Sequence, residues 1–480
     1  EREAARLSEA WEKVEGADGL VPFRKAVVEL LERRRSVAKV EGKVEAAALE
    51  ALAKEVEAAR EALGERSGTV TEAERVVANR AAGILMELKH RLGEWMGFYK
   101  GYDPIVSWWC GRPFAKLDSA LGDYRSEIRR ELLGVGSNDD DPVIGDPIGR
   151  EALLRELGAE FMAYTPEELV KIANREFAWC EVEMLKASRE MGFGDDWRAA
   201  MDAVKNDFVE PGEQPYLIKE LALEAIGFLK ERDLVTIPAL CEETWEMRMM
   251  SPERQKVSPY FLGGQTIMVS FPTDGMEHSS KLMSLRGNNR HFARATVHHE
   301  LIPGHHLQGF MARRYATHRR PFRTPFFVEG WALYWELLLW EKGFQKSPEN
   351  RVGMLFWRMH RCARILFSLR FHLGEMTAQE AIDFLVERVG HERANAMGEV
   401  RRSVGGAYPP LYQAAYLLGG LQLMALREEL VDGGVMGEKA FHDALLREGS
   451  VPIEMMRVIL KGEEIGKDFE ARWEWGEGKR

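Results

Sequence analysis

His298-His299-Glu300-Leu301-Ile302-Pro303-Gly304-His305-His306 places four histidines and one carboxylate within nine residues. The runs on either side, His291 to Val297 and Leu307 to Arg313, read as helix. Neutral imidazole is the commonest metal-ligand side chain, and a His-Glu pair is half of a zinc-hydrolase signature. The stretch therefore predicts a site for a metal-activated water. Its spacing departs from His-Glu-x-x-His. The fourth residue after His299 is Pro303, and the next histidines stand six and seven positions on. On a regular helix, six residues turn through roughly 240°, and seven advance about 10 Å along the axis. Neither separation suits one ion with bonds of about 2 Å. Pro303 has no N–H and clashes with the preceding turn, while Gly304 has unusual backbone freedom. The pair predicts a bulge that swings His305 back beside His299. His305 and His306 both remain open as the second ligand, and His298 reads as a supporting or substrate-facing group.

A second stretch, Thr324-Pro-Phe-Phe-Val-Glu329-Gly-Trp-Ala-Leu-Tyr-Trp-Glu336, starts an apolar, aromatic helix. Glu329 and Glu336 are seven apart and share one face. A bare carboxylate buried there is costly. Metal ligation by Glu329 would offset that cost, and Glu336 would hydrogen-bond a ligand from behind. The competing expectation is an ion pair with Arg361 or Arg364.

The chain has 480 residues, is 45% hydrophobic and carries a net charge of −11. The charge is spread, which argues against nucleic acid or an anionic membrane as partner. No run of about 18 apolar residues predicts a membrane span, and no apolar leader opens the chain. Cys110, Cys180, Cys241 and Cys362 follow no metal-finger spacing and read as reduced thiols of a cytoplasmic protein. A homodimer is compatible with all of this.

Residues 1–230 predict a helical scaffold and 231–480 a catalytic region with a small sheet. Helix starts are legible at Thr71, at Thr165-Pro166 and in the capping box Thr377 to Glu380. Leu234 to Pro238 and Gln265 to Pro272 read as strands joined through Tyr260 to Gly264 as a hairpin, whose edge an extended peptide could pair with. Tyr99 to Pro113, rich in aromatics, reads as core packing. Ser137 to Pro142 is acidic but lacks EF-hand spacing and reads as a solvated turn.

His299 to Gln308 and Glu329 to Glu336 together resemble the bacterial domain-of-unknown-function 885 family. In motif order they are similar to gluzincin peptidases, the carboxypeptidase Taq and oligopeptidase types being nearest. The likeness extends to Tyr416-Leu-Leu-Gly419 and weakly to His372, and covers roughly 230–480. It implies a mainly α, large helical bundle-like metallopeptidase fold with a small β-sheet beside the active-site helix. It implies that His299, His305 and Glu329 hold one Zn2+ with a position left for water, which zinc would acidify. Glu300 would be the general base. The oxyanion would be met by a tyrosine among Tyr408, Tyr412 and Tyr416, with Tyr416 favoured, and His372 would donate from the cleft. The expected substrate is a small peptide or related amide. The alternatives are a metal-dependent hydrolase of a non-peptide metabolite and a catalytically inactive helical binding protein.

Overall fold

Helix starts are set locally. Thr71 accepts a hydrogen bond from Glu74 N, and the Glu74 carboxylate accepts one from Thr71 N at 2.9 Å. Thr165 and Thr377 close the same reciprocal boxes with Glu168 and Glu380. Each box satisfies two N–H groups that a helix start leaves without partners. The computed structural model describes residues 2–64, 68–135, 143–255, 263–406 and 408–476. The acidic turn at 137–142 and most of the 260–264 connection lie outside the described residues.

The protein is mainly α and divides into two compact units, residues 1–146 and 147–480. The first holds α1 (Arg2–Glu15), α2 (Arg24–Arg35), α3 (Gly42–Gly64), α4 (Glu72–Lys100) and α5 (Pro104–Glu131). Leu49, Ala53 and Val56 of α3 share its core with Cys110, Leu117 and Leu121 of α5. Trp108, expected in packing, is 82% exposed.

The second unit begins with α6 (Arg150–Ala159), α7 (Pro166–Glu190), α8 (Trp197–Asn206), α9 (Gln214–Glu231) and α10 (Ala239–Thr244). Then come β1 (Glu246–Met249), α11 (Pro252–Gln255), β2 (Thr266–Val269), α12 (His278–Gly287), α13 (Arg290–Glu300) and α14 (His305–Ala312). A 3-10 turn (Thr317–Phe322) leads to α15 (Pro325–Glu341) and α16 (Pro348–Leu373). The unit closes with α17 (Ala378–Phe384), α18 (Arg393–Val404), α19 (Tyr412–Arg427), α20 (Glu438–Glu448) and α21 (Ile453–Lys461). The division expected at 230/231 falls inside this unit. Arg294 of α13 pairs with Glu224 of α9, Nη2 to Oε1 at 2.9 Å, so α9 belongs with the motif helix.

The sheet lies beside the motif helix, but its strands differ from expectation. β1 and β2 run parallel, Glu246 opposite Thr266, where a hairpin would be antiparallel. Leu234 to Pro238 forms no strand, because side chains of α20 take its polar groups. His442 Nδ1 donates to Leu234 O at 2.6 Å, and Thr236 N donates to Asp443 Oδ1 at 2.9 Å. Ile267 and Val269 turn to one face of β2 and pack on Val297 and Leu301 of the α13 segment.

Helix α16 is buried along nearly its whole length, as a centrally placed helix must be. It supports α13 through Phe356, stacked on Phe292 at 4.3 Å, and through Trp357 Nε1, which donates to Phe292 O at 3.2 Å. Helices α15 and α19 meet at glycines. A Cβ on Gly419 would sit 2.0 Å from Phe326 O, so no side chain fits. That close crossing sets the tyrosines of α19 against the acids of α15.

Candidate metal centre

Helix α13 stops at Glu300, and α14 starts at His305. Leu301 leaves the helical conformation, with φ −106 and ψ −105. Gly304 N then donates to His298 O at 3.0 Å, and His306 N donates to Leu301 O at 3.0 Å. The chain thus folds back on itself across four residues. The return is tight enough that a Cβ on Gly304 would lie 1.7 Å from His299 O. Helix α15 pins the turn: Trp331 Nε1 donates to Pro303 O at 2.8 Å, and Gln308 Nε2 donates to Phe327 O at 3.2 Å.

This fold-back brings His305 to His299, their rings 4.9 Å apart and nearly perpendicular. Glu329, buried on α15, completes the group. Its Oε2 lies 3.2 Å from His305 Nε2 and 3.9 Å from His299 Nε2. One ligand atom from each residue lies within 4.8 Å of the others. Bonds of about 2.0–2.1 Å in a tetrahedron put ligand atoms about 3.4 Å apart, so the two separations from Glu329, 3.2 and 3.9 Å, are near those a small cation of the zinc type needs. Glu329 Oε2 receives no well-directed hydrogen bond among the described residues, and its Oε1 accepts one from the Tyr412 hydroxyl. Burial pushes the Glu329 carboxyl up, but the imidazoles of His305 and His299 outweigh it and hold the group at about 2. Burial likewise pushes His305 down, and the Glu329 charge overrides it, raising the ring to about 9. His305 and Glu329 thus form a buried pair of opposite charge.

Glu336 backs the group. Its Oε1 lies 2.7 Å from His299 Nδ1 and 3.5 Å from Arg361. A carboxylate on Nδ1 fixes the ring so that Nε2 presents its lone pair. Both contacts expected of Glu336, a hydrogen bond to a motif histidine and a pairing with Arg361, are present together. Arg364 instead grips Glu399, at 2.6 and 3.1 Å, and stands 4.6 Å over the Tyr416 ring. Tyr416 in turn stacks on His299, centroids 6.0 Å apart and 10° from parallel.

The remaining candidates fall as follows. Glu300 ends α13, half-buried, and its charge reaches His305. His306 turns away: its Nε2 donates to Cys241 O at 2.7 Å, leaving His305 as the histidine beside Glu329. His298 is buried against Phe344, and burial holds it neutral by pushing it down to about 3. His372 is not brought to the group. It lies eleven residues beyond Arg361 on α16, about 16 Å farther along the axis, where its carbonyl accepts from Gly149 N. Tyr408 packs on Tyr412 at 4.6 Å. Two features were not singled out from sequence. The Glu399 clamp on Arg364 had no local signal. The arginines that follow α14 did: five stand between Arg313 and Arg323.

Two solved structures share the fold. One, provisionally described as a lipoprotein of unknown function from Shewanella oneidensis, matches with TM-score 0.65 and 19% identity. That match covers 90% of this chain and 78% of that one. The other, provisionally described as a lipoprotein from Colwellia psychrerythraea, matches with TM-score 0.58 and 16% identity over 84% of this chain and 78% of that one. No curated protein matches the chain at a significant level. The model of a bacterial protein family of unknown function, DUF885, matches residues 111–460. That is most of the chain, and the protein belongs to this family.

Proposed function

We propose that this family member is a zinc-dependent hydrolase of peptide or related amide bonds in small substrates. The observation that carries the reading is the convergence of His299 Nε2, His305 Nε2 and Glu329 Oε2, with Glu336 behind His299. When bound there, zinc supplies Lewis acidity to water and to a substrate carbonyl. The chain supplies the rest. Glu300 accepts the proton of the attacking water and delivers it to the departing amine. Tyr412 and Tyr416 lie four residues apart on one face of α19, and burial keeps both phenols protonated by raising them above their ordinary value. The Tyr416 hydroxyl is the donor for a developing oxyanion, since the single proton of Tyr412 is given to Glu329. Tyr412 is the nearer to Glu329, and Tyr416 is steadied by the Arg364–Glu399 pair. The four free, buried cysteines favour a cytoplasmic location. No helix among the described residues is long and apolar enough to cross a membrane. Recovery of the native protein with the membrane fraction would replace the cytoplasmic reading with that of the lipoprotein neighbours.

The test is metal content followed by turnover. Chelator-stripped protein is expected to take up one zinc per chain and to cleave members of a short-peptide library only when reloaded. Failure to take up any divalent ion would end the reading. Zinc uptake with no cleavage of peptides or amides would turn it towards a metabolite hydrolase or a binding protein. The backing residue gives a finer check. Glu336→Gln keeps the shape but weakens the hold on His299, and zinc affinity should fall about 10–100-fold in chelator competition. Unchanged affinity would remove Glu336 from its supporting role.

A further inference from the structure

Between Glu300 and Glu329 the sequence contains no acidic residue, yet it carries five arginines. Four of them, Arg313, Arg319, Arg320 and Arg323, line one cavity of about 470 Å³. Phe327 and Val328, immediately before the ligand Glu329, form part of its wall, and so does Gln308, one turn after the ligand His305. The cavity's lining thus draws on α14 and α15, the two helices that carry His305 and Glu329. Arg319 is held by Glu448, its Nη1 donating to the backbone carbonyl at 3.0 Å. Arg313, Arg320 and Arg323 have no acidic partner and make no side-chain hydrogen bond among the described residues. The Arg323 charge reaches His305. The 3-10 turn that presents Arg319 and Arg320 buries none of its residues. Its position is not maintained by a core of its own.

Like charges gathered in a concave wall repel one another and focus a positive potential into the space between them. Guanidinium is also the side chain best shaped to grip a carboxylate through two parallel N–H donors. We infer that this cavity is an anion subsite that takes a carboxylate of the substrate, so the hydrolase acts on acidic peptides or on peptides by their free C-terminus. The inference rests on the hydrolase reading for its substrate. The cavity's charge and its lining from α14 and α15 stand without that reading.

The test uses the zinc-loaded 480-residue chain and fluorescently labelled tripeptides, with binding read as the anisotropy on mixing, before the probe is cleaved. One pair of probes is Ala-Ala-Ala with a free or an amidated C-terminus. The other pair is amidated Ala-Glu-Ala and Ala-Gln-Ala. The anionic member of at least one pair should bind ten-fold or more tightly than its neutral twin. The pair that shows the preference identifies the source of the carboxylate. In the Arg320→Gln/Arg323→Gln double variant that ratio should collapse towards one, and in the corresponding double lysine variant it should partly recover. Both variants alter exposed side chains, and an unchanged melting temperature and zinc content would verify their fold. No preference for charge in the parent protein, or a preference undiminished in the glutamine variant, overturns the inference. Anisotropy is read without turnover. A protein that discriminates by charge but neither binds zinc nor cleaves peptides would retain the subsite and lose the hydrolase.

Discussion

Glu300→Gln is expected to bind zinc as fully as the parent chain and to lose turnover by about two to four orders of magnitude, the range a general base supplies. The residue directly follows His299 at the end of α13, so its backbone is fixed by a ligand on one side and by the fold-back on the other. Its carbonyl accepts from Gly264 N at 3.2 Å. The bare Cα of Gly263 lies over its side chain, where an added Cβ would stand 2.3 Å from Glu300 Oε2. The lead-in to β2 thus leaves little room for the carboxylate to wander. Glutamine fills the same space and keeps the packing, but it cannot accept the proton. The loss should therefore appear in kcat, with KM little changed. Near-parental turnover would remove Glu300 from the base role. Loss of zinc together with turnover would show that it shapes the site and does not serve as the base.

How far the centre could be read from sequence follows the range of the interactions. The threonine boxes at 71, 165 and 377 close within four residues and were legible as patterns. The pairing of Pro303 with Gly304 announced a break in the helix, and the unusual distance from His299 to His305 required one. The choice between His305 and His306 was not local. It is made by Cys241 O, 65 positions away, which takes the His306 ring. Leu234 to Pro238 has the composition of a strand, yet Asp443 and His442 occupy its backbone groups, an outcome that only the packed fold could decide. Tyr412 and Tyr416 were equal candidates on one helical face. The crossing at Gly419 and Gly330 determines that Tyr412 reaches Glu329 while Tyr416 lies over His299. The arginine wall was visible as a charge run, but its concavity requires α14, α15 and the segment after α20 to meet.

Gly304→Ala should be among the most damaging single methyl additions, since no glycine surveyed among the described residues leaves less room for one. The added carbon would fall 1.7 Å from His299 O, 2.4 Å from His299 C and 2.7 Å from His298 O. All three are backbone atoms, so no side chain can rotate away to relieve the clash. The fold-back must open, and α14 must move off the end of α13. Overpacking of this kind costs about 1–3 kcal/mol, and the measured loss should lie at or above the top of that range because backbone must shift. The functional loss should exceed the stability loss. Opening the turn carries the His305 imidazole away from Glu329, and a donor displaced by 1 Å cannot complete a site whose bonds are about 2 Å. Zinc affinity should therefore drop by at least about 100-fold at temperatures where circular dichroism still reports folded helix, an expectation resting on the same bond-length limit. Gly97→Ala is the matched control. Gly97 lies inside α4 with nothing within 4 Å of the added carbon, so stability should hold or rise by up to about 1 kcal/mol. If Gly304→Ala kept parental zinc affinity, the two helix ends would not depend on this contact to bring His299 and His305 together. The close approach of residue 304 to His299 would then be incidental to the metal centre.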